Sequence, residues 1–252
     1  MRRILLVNHT GMREERVEPQ LRAKGCAVEW CFPATGEPLP ADTTGYEGVV
    51  VFGGYESAND GARIAWLGRE IDWIAAHVEA GGAYLGICLG SQLLAHALGA
   101  RVGPHPAGVN QIGYYPVTPT PAGAALFPDP PLQVYHWHEE GFAVPPGAAL
   151  LATAADFPNQ AFSYGRAAFG LQFHPEVTPA VLRRWLDAAP DHLVRPGARP
   201  REVQLADCAR FDAPLEGWLD GFLDHWLAAA ARDRPPAPAV AAARAAPASL
   251  NR

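Results

Sequence analysis

Residues 83–92 read Ala-Tyr-Leu-Gly-Ile-Cys-Leu-Gly-Ser-Gln, an apolar run that ends at Cys88, with Gly86 two places before the thiol and Gly90 two places after. A strand that turns abruptly into a helix holds its turn residue in a strained conformation, with the side chain exposed above the sheet. Small residues two before and two after let the two backbones pass. The spacing therefore predicts a strand over 83–88, a sharp elbow at Cys88 and a helix that begins near Gly90. A helix N-terminus directed at the sulfur favours the thiolate, the form that attacks carbonyls. A cysteine that merely filled a core would gain nothing from glycine neighbours, which cost conformational entropy and add no packing.

The same alternation extends on both sides. Residues 3–8 (RILLVN) form a strand-like run, residues 14–24 are rich in helix formers and stop at Gly25, and 27–32 (AVEWCF) alternates faces as a strand does. Residues 33–45 are Pro/Gly-rich loop, and 48–52 (GVVVF) is a short β-branched run closed by Gly53 and Gly54. Leu67, Ile71, Ile74 and Val78 then recur at the spacing of one helix face before Gly81-Gly82. Strands alternating with helices imply an α/β fold, an open and mostly parallel sheet with helices on both faces. From 101 to 173 the pattern changes to short strand candidates separated by Pro/Gly turns, an antiparallel excursion before the chain returns to the sheet. Thr178 as N-cap and Pro179 at the first helical position mark a closing helix with Val181, Leu182, Trp185 and Leu186 on one face.

Beyond it, 190–212 reads as Pro/Arg-rich linker, and 215–227 as an amphipathic helix striped by Leu215, Trp218, Leu219, Phe222, Leu223, Trp226 and Leu227. That stripe is expected to dock on its own domain rather than on another subunit. From Asp233 onward the composition builds no core. The division that follows is a catalytic-sized domain over 1–187, linker and helix over 188–231, and a disordered tail over 232–252.

Composition narrows the function. The chain has 252 residues, 49% of them hydrophobic, and a net charge of -6 with no basic stripe, which argues against nucleic acid as the main partner. The N-terminal apolar run turns polar at Asn8, too early for a signal peptide, and no stretch matches the ~18 apolar residues of a membrane span. A soluble, cytoplasmic protein with reduced thiols is expected, because the 4 cysteines form no CxxC pair. The single lysine, Lys24, is followed by Gly25, so a Gly-Lys-Ser/Thr phosphate loop is absent.

A nucleophilic thiolate requires a group that moves protons. Of 9 histidines, His174 stands out, placed after the apolar strand AFGLQF in His174-Pro175-Glu176. In open parallel sheets ligand sites gather at the carboxyl ends of strands, where Cys88 also lies. A carboxylate two residues on, Glu176, can hold the imidazole as the third member of a triad does. His77 and His96 fall in helix candidates, and His9, His192 and His225 lack a supporting pattern. His136 and His138 share a strand face, but no third ligand accompanies them, so no metal is expected.

Gly86-Ile87-Cys88-Leu89-Gly90-Ser91-Gln92 and Gln172-Phe173-His174-Pro175-Glu176 together resemble the two motifs of the class I glutamine amidotransferases, GxCxGxQ and FHPE. The resemblance takes in Gly53-Gly54, QIGYYPV at 111–117 and HWHEEGFAVPPGA at 136–148, and it covers roughly residues 1–187. It is similar to the branch that includes the amidotransferase domain of GMP synthase. It implies a three-layer, flavodoxin-like sheet and no cofactor. It further implies that Cys88 attacks the side-chain amide of glutamine, His174 passes protons and Glu176 orients His174. The N–H groups of Leu89 and Gly54, or of Gly53, would hold the oxyanion, with Gln92 and His138 beside the substrate. Tyr55 stands where relatives often have proline, and Gln111 where many have glutamate.

Three functions follow. The first is a glutaminase that releases ammonia to an acceptor on a partner synthetase subunit, since only 76 residues follow the last catalytic position, Glu176. The second is a stand-alone γ-glutamyl hydrolase or peptidase. The third, disfavoured by the intact triad, is a non-catalytic binding module.

Overall fold

Ile4 and Leu6 in the first strand face one apolar cluster, while Leu5 and Val7 face another. Val50 and Phe52 divide from Val49 and Val51 in the same way, as do Leu85 and Ile87 from Tyr84. Strand side chains alternate with period two, so a sheet apolar at every position must be covered on both faces. The structure, a computed structural model, describes residues 1–13 and 15–232 and has that arrangement.

Elements β1 (Arg2–Val7), α1 (Val17–Ala23), β2 (Cys26–Cys31), β3 (Gly48–Val51), α2 (Ala65–Glu79), β4 (Tyr84–Ile87) and α3 (Leu89–Ala97) follow in sequence. The excursion comprises β5 (Val102–Pro104), β6 (Gln111–Pro119), β7 (Leu132–His138), β8 (Glu140–Phe142), β9 (Ala149–Thr153) and β10 (Ala161–Tyr164). The chain then returns through β11 (Ala168–Leu171) to α4 (Pro179–Ala188) and α5 (Arg201–Arg232).

The main sheet has nine strands in the order β2-β1-β3-β4-β11-β10-β9-β6-β7, and β5 pairs with β8 in a separate ribbon. Pairs from β2 to β11 are parallel. Those from β11 outward to β7 are antiparallel. The first cluster buries apolar residues of α1, α4 and α5, and the second those of α2 and α3. The expected open, mostly parallel sheet with an antiparallel excursion is therefore present.

Two boundaries differ from the sequence expectation. The first helix starts at Val17 rather than near residue 14. The expected linker over 190–212 gives way at Arg201 to a 32-residue helix with Pro214 inside it. Prolines through Pro200 end the irregular segment, and the Pro200 carbonyl accepts from Gln204 N at 3.0 Å, so the last proline begins the helix. Its stripe docks on its own sheet: Leu215, Leu219, Phe222, Leu223, Trp226 and Leu227 are buried. Trp226 Nε1 donates to Ala167 O at 3.2 Å. Arg232, where the tail was expected to begin, is the last residue of α5, and the rest of the tail expected over 232–252 lies outside the described residues. Among the described residues no helix is long and apolar enough to cross a membrane.

Candidate active site

The strand order reverses at β1, from which the chain steps to β2 on one side and β3 on the other. Open α/β sheets leave a crevice beyond the strand ends at such a point. A cleft of about 430 Å³ opens there, lined by Asn8, Gly53, Gly54, Cys88, Leu89 and His174 among others.

Cys88 joins β4 to α3 at φ 50 and ψ -109, and it is the one non-glycine residue with positive φ among those described. Its N–H donates to Leu171 O at 2.8 Å, and its carbonyl accepts from Ser91 N at 2.9 Å and Gln92 N at 3.1 Å. One end of the residue thus still belongs to the sheet while the other already belongs to the helix. Gly86 and Gly90 permit the turn by contact rather than by torsion: a Cβ on Gly86 would strike the Gly90 carbonyl, and one on Gly90 the Val51 carbonyl.

His174 follows β11, and its N–H is held by Tyr135 O at 2.7 Å. Its Nδ1 lies 2.7 Å from Glu176 Oε1, with both side chains buried. The other ring nitrogen, Nε2, is buried without a hydrogen-bond partner. Burial disfavours the imidazolium, but the Glu176 carboxylate and then the nearby Cys88 sulfur outweigh it, and the pKa is pushed up to about 10. The ring meets Trp185 edge-on at 5.1 Å between centroids. The Gly53-Gly54 turn closes this corner: a Cβ on Gly53 would lie 3.1 Å from His174 Cε1 and 3.6 Å from Cys88 Cβ. The structure thus brings Cys88, His174, Glu176, Gly53, Gly54 and Leu89 together at one end of the sheet.

Gln92 and His138 also line the cleft. Both are tied to one carbonyl, Glu140 O, through Gln92 Nε2 at 3.0 Å and His138 Nδ1 at 2.9 Å. A carbonyl only accepts, so Nδ1 of His138 carries the proton, and Nε2 accepts from His136 Nδ1 at 3.2 Å. Burial, then the neighbouring His174 charge, lower the His138 pKa to about 3; burial leads the same shift at His136, well below the usual range. Both rings are neutral. Among the described residues no group of three or more His, Cys, Asp or Glu is placed to hold a metal.

Two residues here escaped the sequence reading. Gln172, part of the second motif, places Nε2 4.0 Å from Cys88 Sγ and accepts from Gln92 Nε2 at 3.3 Å. His9, set aside for want of a pattern, lies behind the glycine turn with Nδ1 3.1 Å from Gly53 O. Its position just past the end of β1, level with Gly53 and Cys88, was the available signal. Tyr55 is 87% exposed at the cleft rim, and Gln111 is buried and accepts from Gln160 Nε2 at 3.1 Å.

Comparison with known proteins agrees with this geometry. The family model described as glutamine amidotransferase class-I matches residues 11–186. The glutamine amidotransferase-like protein YfeJ of Salmonella typhimurium is 36% identical over 163 residues, 62% of this chain and 67% of its own length. A GMP synthase (glutamine-hydrolyzing) of Aeropyrum pernix is 32% identical over 195 residues, 73% of this chain but 35% of that enzyme. The chain thus spans about two thirds of the first relative and about one third of the second. A crystal structure of a glutamine amidotransferase from Thermotoga maritima superposes with a TM-score of 0.80 at 31% identity, covering 90% of this chain and 98% of that one. The elbow, the paired histidine and carboxylate, and these matches together establish that the chain belongs to the class-I glutamine amidotransferase family.

Proposed function

We propose that the chain hydrolyses the γ-carboxamide of glutamine through a cysteinyl thioester and releases glutamate and ammonia, the ammonia passing to an acceptor on a partner synthetase subunit. The observation that carries this reading is the unpartnered Nε2 of His174, buried beside Cys88 while Nδ1 is fixed by Glu176.

The Cys88 sulfur attacks the carbonyl carbon of the γ-carboxamide, Cδ of glutamine, and the carbonyl π electrons move to oxygen. Backbone N–H groups of Leu89, free at the first turn of α3, and of Gly54 receive that oxyanion. When the tetrahedral species collapses, the C–N bond breaks and the departing nitrogen takes the Nε2 proton of His174, leaving as ammonia. His174, now neutral, accepts a proton from water as the water oxygen attacks the thioester. Collapse of the second tetrahedral species expels the Cys88 thiolate and frees glutamate. Glu176 stays ionised throughout and holds the ring. Gln92 and His138 lie along the glutamine.

A second reading, a stand-alone hydrolase acting on larger γ-glutamyl amides, draws on the extent of the cleft. The cleft continues past Cys88 to Tyr55, Trp185 and Arg195. Glutamate release from glutamine and from γ-glutamyl peptides, measured for wild type and Cys88→Ala, tests both. Turnover by wild type and none by the variant supports hydrolysis, and peptide preference selects the second reading. Equal, slow release by both proteins from every amide sinks the enzymatic proposal.

A further inference from the structure

Helix α2 buries Leu67, Ile74 and Val78 against the sheet, and on the same stripe it buries Glu70. A carboxylate in a core requires a specific partner. His9 is that partner, with Nε2 3.0 Å from Oε1 and 3.1 Å from Oε2 of Glu70 and both side chains 0% exposed. Trp66 stacks on the imidazole at 5.5 Å between centroids. The triad described above uses none of these groups.

The donors and acceptors fix the state of the pair. Gly53 O only accepts, so Nδ1 of His9 donates to it; Glu70 straddles Nε2 with both oxygens, as an ionised carboxylate does toward an N–H. Both ring nitrogens donate, and His9 is an imidazolium. Burial opposes that charge, but Glu70, the Gly53 carbonyl and Glu56 favour it, and the pKa of His9 is raised.

The consequence lies in the peptide bonded to it. A trans peptide is planar with C=O and N–H on opposite sides. Anchoring Gly53 O on His9 therefore turns the Gly54 N–H away from His9. A Gly-Gly turn has little torsional preference of its own, so it needs an external anchor to present one orientation. A peptide whose carbonyl is bonded to a cation also donates more strongly through its N–H. We infer that His9 and Glu70 are positioning residues: a buried ion pair that holds the Gly53-Gly54 peptide with its N–H toward the oxyanion. This rests on the oxyanion role proposed for Gly54.

Glu70→Gln, His9→Gln and His9→Leu test it, with three readouts. Removing a single oxyanion donor lowers kcat about 10²- to 10³-fold, so misaligning one is expected to lower kcat for glutamate release about ten- to hundred-fold with KM within about two-fold. Alkylation of Cys88 by iodoacetamide, a displacement that forms no oxyanion, should proceed at the wild-type rate. His9→Gln, which retains an amide donor for Gly53 O, should recover more kcat than His9→Leu. In wild type, ring ¹⁵N shifts should show His9 doubly protonated at pH 7.5, a measurement that needs no variant to fold. Singly protonated His9, wild-type kcat in the variants, or equal losses of kcat and alkylation rate would each overturn the inference. Wild type releasing no more glutamate than Cys88→Ala would instead sink the proposed function, and the purpose of the pair with it.

Discussion

Cys88 rests at φ 50, where a residue with a Cβ is strained by about 1–3 kcal/mol. The hydrogen bonds on either side, to Leu171 O and from Ser91 and Gln92, keep it there. The strain places the sulfur at the end of β4 rather than inside the sheet. His174 works from a different constraint, a carboxylate 2.7 Å away in a buried site. Its folded pKa of about 10 lies above the unfolded value of about 6.5, so the stability contributed by the pair is fully present below pH ~6.5 and lost as pH rises through ~10. In the proposed mechanism the proton that leaves with ammonia is lost over the same upper range. In Glu176→Gln burial is no longer outweighed by a carboxylate. The alkaline limb of kcat/KM should therefore move to lower pH than in wild type, and a pH–rate profile of glutamate release checks it. A limb that stays in place would leave Glu176 without its assigned role.

At the scale of elements, α5 contributes to one of the two core clusters although it lies outside the matched family segment, residues 11–186. Trp226 is fully buried, its ring lies against Gly48 of β3, and its Nε1 caps Ala167 O. Trp226→Ala should cost about 3–5 kcal/mol, read as a lower urea midpoint, because so large a void does not close. Specific activity of the folded fraction should persist, since no α5 residue lines the cleft. The stripe from Leu215 to Leu227 was legible as a helix from periodicity alone. The turns before it were not: Pro214 reads locally as a breaker, and tertiary packing of Cys208 and Leu215 on the sheet carries the helix through it.

At the scale of the whole molecule, the two core histidines of β7 give stability a response to acid. His136 and His138 are buried and neutral, and burial is the first cause in each. Unfolding lets them titrate near pH 6.5, so their contribution is present above that value and lost as pH falls toward the folded pKa of His138, about 3. From pH 7 to 5 each such ring lowers stability by about 2 kcal/mol. Urea midpoints at the two pH values should therefore differ less in His138→Gln than in wild type. The sequence by itself determined the alternating sheet, the elbow at Cys88 and the His174-Pro175-Glu176 turn, because each is written in local periodicity or short-range spacing; that Cys88 and His174 belong to one site was expected from the placement of both at carboxyl ends of strands and from the resemblance of the two motifs. It could not show that His9 reaches Glu70 across 61 positions, or that Gln172 faces Cys88 across 84. Those contacts depend on which strands become neighbours at the switch point and on which helix face is pressed against the sheet. Isolated polar residues carry no local signal of either, and only the tertiary structure decided them.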